Sequence, residues 1–269
     1  MRVWMLGSGS RGNAMLVECD GSRVLVDVGF GPRALAQRLK EVDIAPESIE
    51  AAVITHEHVD HVGGVAACAR RWGWTMFATR GTIAGSGALA HAGARELQPG
   101  VTVDVSTLSL LPVRSSHDAQ EPIALVATGR RSGERLGVAY DLGCVTKSVR
   151  AAFHDLDLLV VEANHDDGML RDGPYPRVVQ DRIAGRTGHL SNNDGAEFAR
   201  GCVRRDLRHV ILAHLSEQCN TPSLALGCVG DSLRSAGYRG RLHAAHQRRV
   251  VGPFEASGHI ASGQLSLGV

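Results

Sequence analysis

The chain has 269 residues, 43% of them hydrophobic and 21% charged, with a formal net charge of +1. That length and balance exclude a disordered chain, and near-neutrality removes any global electrostatic argument for nucleic acid, membrane or acidic ligand, so a partner must be recognised locally. The six cysteines, at 19, 68, 144, 202, 219 and 228, form no C-x-x-C pair and read as small buried apolar residues. No apolar run has membrane-spanning length or the form of a signal-peptide core, so a cytoplasmic protein with no membrane partner is expected.

Residues 1–6 and 14–19 read as short strands around the turn Gly7-Ser8-Gly9-Ser10-Arg11-Gly12-Asn13, and 22–28 as a third strand. The turn matches G-x-G-x-x-G, but a dinucleotide site needs a helix next, and a strand follows here. Helical spacing over 32–42 then leads to a buried strand over 49–55 and a helix over 62–72. A second strand series covers 101–113, 123–128 and 135–140, with a further strand at 156–163. Helices are predicted over 175–183, 193–205 and 221–236, with strands at 210–213 and 241–251. Strand-rich and helix-containing stretches alternate twice, which predicts an α/β chain folded as a four-layer αββα sandwich. Residues 1–255 form one domain in this reading, followed by a loosely held Ser/Gly-rich tail over 256–269.

The chemistry concentrates in Thr55-His56-Glu57-His58-Val59-Asp60-His61, an H-x-H-x-D-H run at the end of a buried strand. Two histidines separated by one residue in extended backbone project to one side, and the following turn brings Asp60 and His61 to a neighbouring position. Neutral imidazoles with a carboxylate suit a borderline divalent ion such as zinc or manganese, with iron also compatible. A polar loop with coincidental histidines is the bland alternative, but four ligand-type residues within six leave it little room. His117, Asp141 and His214 each follow an apolar strand and are the candidates to complete the coordination.

These segments, in order, resemble the signature of the metallo-β-lactamase superfamily. The resemblance implies one metal on His56, His58 and His117, a second on Asp60, His61 and His214, and Asp141 as the bridge between them. An aspartate bridge, where classical β-lactamases carry cysteine, points to phosphodiesterases and thiolester hydrolases; Cys144 reads as core. The opening turn, Ser116 to Pro122, Glu162 to Asp166, Gly188 to Asn192 and Ala213 to Glu217 are similar to the YycJ/WalJ-like branch. That resemblance implies a 5′-to-3′ exonuclease on DNA, with DNA repair as its setting. The cyclic phosphodiesterases of phosphonate breakdown share the layout but carry paired cysteines near the start, where this chain has only Cys19.

A dinuclear phosphodiesterase of this kind uses a hydroxide shared by two metals about 3.5–4 Å apart, and Asp60 and Asp141 are placed to orient it. His189 is the first candidate to protonate the leaving oxygen, although it also precedes a helix that Ser191 or Asn192 would cap. His165 is the second, with an equal case for orienting a ligand. Arg171, Arg177, Arg182 and Arg186 offer a local positive rim, or simply a solvated helix face. The other histidines, 91, 154, 209, 243, 246 and 259, read as surface or core. The expected partners are nucleic acid ends, DNA ahead of RNA, or a small phosphodiester. The alternatives are a small-molecule hydrolase acting on a cyclic phosphodiester, thiolester or lactone, and a non-catalytic metal-bound scaffold.

Overall fold

The computed structural model describes residues 1–257. The first half runs through β1 (Arg2–Gly7), β2 (Ala14–Cys19), β3 (Ser22–Val26), α1 (Pro32–Lys40), β4 (Ala51–Val53), α2 (Val59–Val62), α3 (Val65–Trp72), β5 (Thr75–Thr79), α4 (Arg80–Gly85), α5 (Gly87–His91) and β6 (Arg95–Leu97). The second half runs through β7 (Val103–Val105), β8 (Leu108–Arg114), β9 (Ile123–Gly129), β10 (Arg135–Ala139), α6 (Lys147–Ala152), β11 (Leu158–Glu162), α7 (Asp167–Arg171), α8 (Arg177–Ile183), α9 (Asn192–Gly201), β12 (His209–Ala213), α10 (Pro222–Ser235), β13 (Arg241–Ala244) and β14 (Val251–Glu255).

Two seven-stranded sheets result, ordered β14-β1-β2-β3-β4-β5-β6 and β13-β12-β11-β10-β9-β8-β7. Each begins as an antiparallel meander and continues through parallel crossovers, β3 to β6 in one and β10 to β13 in the other. Three apolar cores separate four layers. One lies between the sheets (Met5, Val17, Leu125, Val160), and the others seat helices on the outer faces (Leu35, Leu39 and Ile54 on one side, Phe198, Leu212 and Val229 on the other). Strands buried on both faces need continuous apolar sequence, and β2 and β11 are buried at every position. α1 shows how a helix is specified: Pro32 opens it, Arg38 and Lys40 complement its last turn, and Leu35 and Leu39 are fully buried. Each such leucine contributes about 1.5–3 kcal/mol. Among the described residues no helix is long and apolar enough to cross a membrane.

The structure departs from the sequence expectations in four places. The strand expected over 241–251 is two strands, β13 pairing with β12 and β14 with β1, joined by a crossing between the sheets. The helix expected over 62–72 breaks at Gly63-Gly64, where a Cβ on Gly64 would lie 1.9 Å from the Phe30 carbonyl oxygen. β5, α4, α5 and β6 fill a stretch that carried no prediction. At the C-terminal end, Ala256 is buried and its N–H donates to the Met1 carbonyl, while the rest of the expected tail, from 258, and His259 lie outside the described residues.

Candidate metal centre

Parallel strands deliver their carboxyl ends to one edge, and the residues just past those ends converge there. From the first sheet, β4 leads into His56 and His58, and the single turn α2 carries Asp60 and His61. Gly29 lets this turn dock, since a Cβ on it would lie 1.8 Å from the Asp60 carbonyl oxygen. From the second sheet, β8 leads to His117, β10 to Asp141 and β12 to His214.

Donor atoms of these residues gather, within 4.8 Å of one another, into the groups His56/His58/His117, Asp60/His61/His214 and His56/His61/Asp141. A fourth group, Asp141/Glu162/His189/His214, adds two residues. The ring centroids of His56 stand 4.6 Å from His58 and 5.0 Å from His117. Asp141 lies between the first two groups, its Oδ2 2.9 Å from His61 Nε2 and its Oδ1 3.0 Å from His214 Nδ1. Asp141 and His214 hold φ angles of +55° and +54°, a left-handed conformation that costs roughly 1–3 kcal/mol per non-glycine residue unless the surroundings impose it. Asp27, at the end of β3, is held likewise at +62°.

Three supporting residues were not singled out as site residues in the sequence, although Asn13 and Glu162 lie in segments that carry the family resemblance. Asp27, fully buried, accepts hydrogen bonds from Thr55 N–H at 2.8 Å and Tyr140 O–H at 2.8 Å, and lies 2.8 Å from His61 Nδ1. It thereby turns His61 Nε2 towards the cluster. Glu162, fully buried, contacts His189 Nδ1 at 2.8 Å and His214 Nδ1 at 3.2 Å, and accepts the Leu142 N–H. Asn13 Nδ2 stands 3.1 Å from Asp60 Oδ2 and 3.0 Å from His61 Nε2. His117 Nδ1 donates to the Gly188 carbonyl at 2.9 Å, which leaves its Nε2 for the cluster.

This donor set fits divalent metal ions. His56 Nε2 and His214 Nε2 are buried with no hydrogen-bond partner, and buried Asp141 Oδ2 has only the close approach of His61 Nε2, all at the point of convergence. Burial opposes the His61 and His214 imidazolium forms, yet the carboxylates win. Asp27 and Asp141 hold the His61 pKa well above its ordinary value, and Asp141, Asp60 and Glu162 push that of His214 up to about 10. The same attraction, against burial, holds Asp141 well below the usual carboxylate range and Glu162 at about 2. The pocket therefore selects for positive charge, which a divalent ion supplies by replacing protons. His56, by contrast, is kept neutral by burial and by the neighbouring His61 charge, as a ligand must be.

The comparisons with known proteins agree with this geometry. Residues 22–215 match the model of the β-lactamase superfamily domain. The chain is 30% identical over 238 residues to the exodeoxyribonuclease YycJ of Bacillus anthracis, covering 87% of this chain and 89% of the relative. It is 31% identical over 227 residues to the exodeoxyribonuclease WalJ of Streptococcus pneumoniae, covering 82% and 84%. The chain belongs to the metallo-β-lactamase superfamily, in its YycJ/WalJ branch. Its fold is shared with the metallo-β-lactamase fold protein YhfI of Bacillus subtilis (TM-score 0.68, 16% identity, 93% and 98% covered) and with the short form of human tRNase Z (TM-score 0.63, 17% identity, 95% and 100% covered). It is a hydrolase of the metal-dependent class.

Around this candidate site lies a cavity of about 250 Å³ lined by His58, Asp60, His117, Asp141, His189 and His214. His189 faces it, its ring 5.1 Å from His117 and 5.2 Å from His214. The helix-start reading of this segment also holds, because Ser191 caps α9 by accepting the Asp194 N–H. His165 is buried behind the cavity and does not line it; its carbonyl accepts the Asn192 N–H and its segment bridges to Ser191. The arginine rim is largely neutralised. Arg171 pairs with Asp172, Arg177 with Asp181 and Arg182 with Asp118, and of the four only Arg182 reaches the cavity. Cys144 is half-buried, not core, because the loop after Asp141 runs along the surface. No disulfide forms among the six cysteines.

Proposed function

We propose that the chain is an exonuclease that shortens DNA from its 5′ ends, with His56, His58 and His117 holding one divalent ion, Asp60, His61 and His214 a second, and Asp141 between them. Zinc and manganese both suit these ligands, and iron is compatible. The observation that carries the reading is the Glu162–His189 pair, 2.8 Å apart, set beside the donor cluster with His189 facing the cavity. An ester whose leaving group is an alkoxide needs a proton there, and such a pair supplies one. The relatives named exodeoxyribonuclease extend over most of the chain and support DNA as the substrate.

When bound, two adjacent divalent ions supply a nucleophile from water at neutral pH and positive charge for the phosphate oxygens. The chain's own residues do the rest. Asp60 and Asp141 orient the attacking water by accepting its hydrogens. As the bond from that oxygen to phosphorus forms, the bond to the leaving 3′-oxygen breaks. His189, held through Nδ1 by Glu162, gives a proton from Nε2 to the leaving oxygen. His165 acts as a positioning residue through its backbone bond to Asn192. No serine or cysteine nucleophile takes part.

A small-molecule hydrolase is the second reading, favoured by the modest 250 Å³ of the cavity. The purified protein, with His61→Ala as control, separates the two on 5′-phosphorylated DNA, matching RNA and a cyclic nucleotide under several divalent metals. We expect mononucleotides released from the DNA 5′ end, slower cutting of RNA, and loss of activity on chelation or in His61→Ala. Turnover of the cyclic ester alone would overturn the nuclease reading.

A further inference from the structure

A second, larger hollow adjoins the metal centre. It measures about 700 Å³ and is lined by Ser8, Ser216, Thr221, His246, Arg248 and Arg249, among others. A single hydrogen-bonded wall separates the two: His214 N–H donates to Ser8 Oγ at 2.8 Å, with His214 and Ser10 facing the metal cavity and Ser8 and Leu215 the groove. Gln247 fixes this wall by accepting the Arg11 N–H at 2.8 Å and donating to the Gly12 carbonyl at 3.0 Å.

The described lining of the groove carries unpaired positive charge. Arg248 and Arg249 are exposed, and among the described residues neither pairs with a carboxylate. Arg249 donates instead to His246 Nε2 at 2.7 Å. Glu217, the one acid in the lining, is occupied by Arg11 at 2.8 Å. The first turn of α10 opens onto the same hollow with no acidic residue, adding partial positive charge. Ser, Thr, Asn and Gln side chains supply uncharged hydrogen-bonding groups. Among the described residues the lining contains no Phe, Tyr or Trp to serve as a platform for stacking bases.

We propose that this groove is the track for the strand beyond the scissile phosphate, gripping the sugar–phosphate backbone of the nucleotides that follow and reading no sequence. The inference rests on the nuclease reading, and the two fail differently. The decisive variant is Arg248→Ala/Arg249→Ala in the full chain, with Arg171→Ala/Arg177→Ala as a control outside the groove. Binding of a 5′-phosphorylated single-stranded 20-mer is measured by fluorescence anisotropy in chelator across a salt series, beside turnover of bis(p-nitrophenyl) phosphate with manganese.

Loss of two phosphate contacts lowers the magnitude of the slope of log affinity against log salt by about 1.4. We therefore expect the groove variant to bind the strand on the order of tenfold more weakly at low salt, with that shallower slope. Turnover of the small ester should be unchanged in it, and the control should match the wild type in both assays. Circular dichroism confirms that the variant folds, and Arg248→Glu/Arg249→Glu should deepen the loss. Wild-type strand binding and slope in the groove variant, or loss confined to the Arg171/Arg177 control, overturns the groove. A wild-type protein that neither binds nor cuts DNA while hydrolysing the small ester overturns the nuclease reading itself, and the groove with it.

Discussion

Asp27 shows how much of the candidate metal site is decided by a residue outside the proposed ligand set. It is fully buried and meets four groups that approach it as donors: the Thr55 amide and hydroxyl, the Tyr140 hydroxyl and the His61 ring. A carboxylate can accept from all of them, whereas an amide has a single acceptor oxygen and would turn an NH2 group towards the others. Asp27→Asn should therefore release His61, with metal affinity falling about 10–100-fold as is usual for a lost orienting partner, and stability by roughly 1–3 kcal/mol. Tyr140→Phe, which keeps the carboxylate on His61, should lose much less affinity. Chelator-competition titration reads both, and unchanged affinity in Asp27→Asn would remove its orienting role. His56, His58, Asp60 and His61 were legible in the sequence because they are contiguous. Asp27 and Glu162 each end an apolar strand as Asp141 does, but the chain contains many such acids, and only tertiary proximity distinguishes these from the rest.

Elements carry their own ionisable device at the far end of the second sheet. His209 on β12 and His243 on β13 are diagonal neighbours on adjacent parallel strands, with Nδ1 and Nε2 2.9 Å apart and Phe254 of β14 packed on both rings. Burial, then Arg241 and Arg208, pushes His209 down to about 4; burial, then His209 and Arg241, does the same to His243. The folded pKa values lie below the unfolded value near 6.5, so this stability is complete above pH 6.5 and is lost as pH falls from 6.5 towards 4. After discounting for partial solvent access, the pair should lose about 2 kcal/mol between pH 7.5 and pH 5. Urea denaturation of wild type and His209→Gln/His243→Gln at both pH values measures it, and equal pH dependence in the two proteins would refute it. The same corner shows the limit of pattern reading. Residues 241–251 read as one strand in the sequence, but an apolar pattern does not say which sheet a strand joins. The chain in fact changes sheets between β13 and β14, because β14 completes the edge beside β1. The four-layer architecture itself was legible, because long apolar runs bounded by turns appear twice in the chain.

At the scale of the whole molecule, the donor set joins two halves that also meet through the core between the sheets and through polar contacts such as Tyr140 to Asp27 and His214 to Ser8. His56, His58, Asp60 and His61 belong to loops of the first sheet, while His117, Asp141 and His214 belong to loops of the second. Every proposed binding group draws on both, so a bound ion is a cross-link that the unfolded chain lacks. It also relieves the crowded carboxylates Asp27, Asp60, Asp141 and Glu162, which hold His61 and His214 protonated. Ligand linkage gives about 2.7 kcal/mol at 100 times Kd and about 4.1 kcal/mol at 1,000 times Kd. For a chain of this size that raises the unfolding midpoint by roughly 5–15 °C. Calorimetry of chelator-stripped protein, with and without added zinc or manganese at neutral pH, should show this rise, and His61→Ala should lose most of it. Because the ligand protons must leave, and His214 with its pKa pushed up to about 10 already carries one at neutral pH, the rise should shrink steadily as pH falls from neutrality towards 5. A midpoint indifferent to metal in the wild-type protein would mean that the two halves are not bridged at this site.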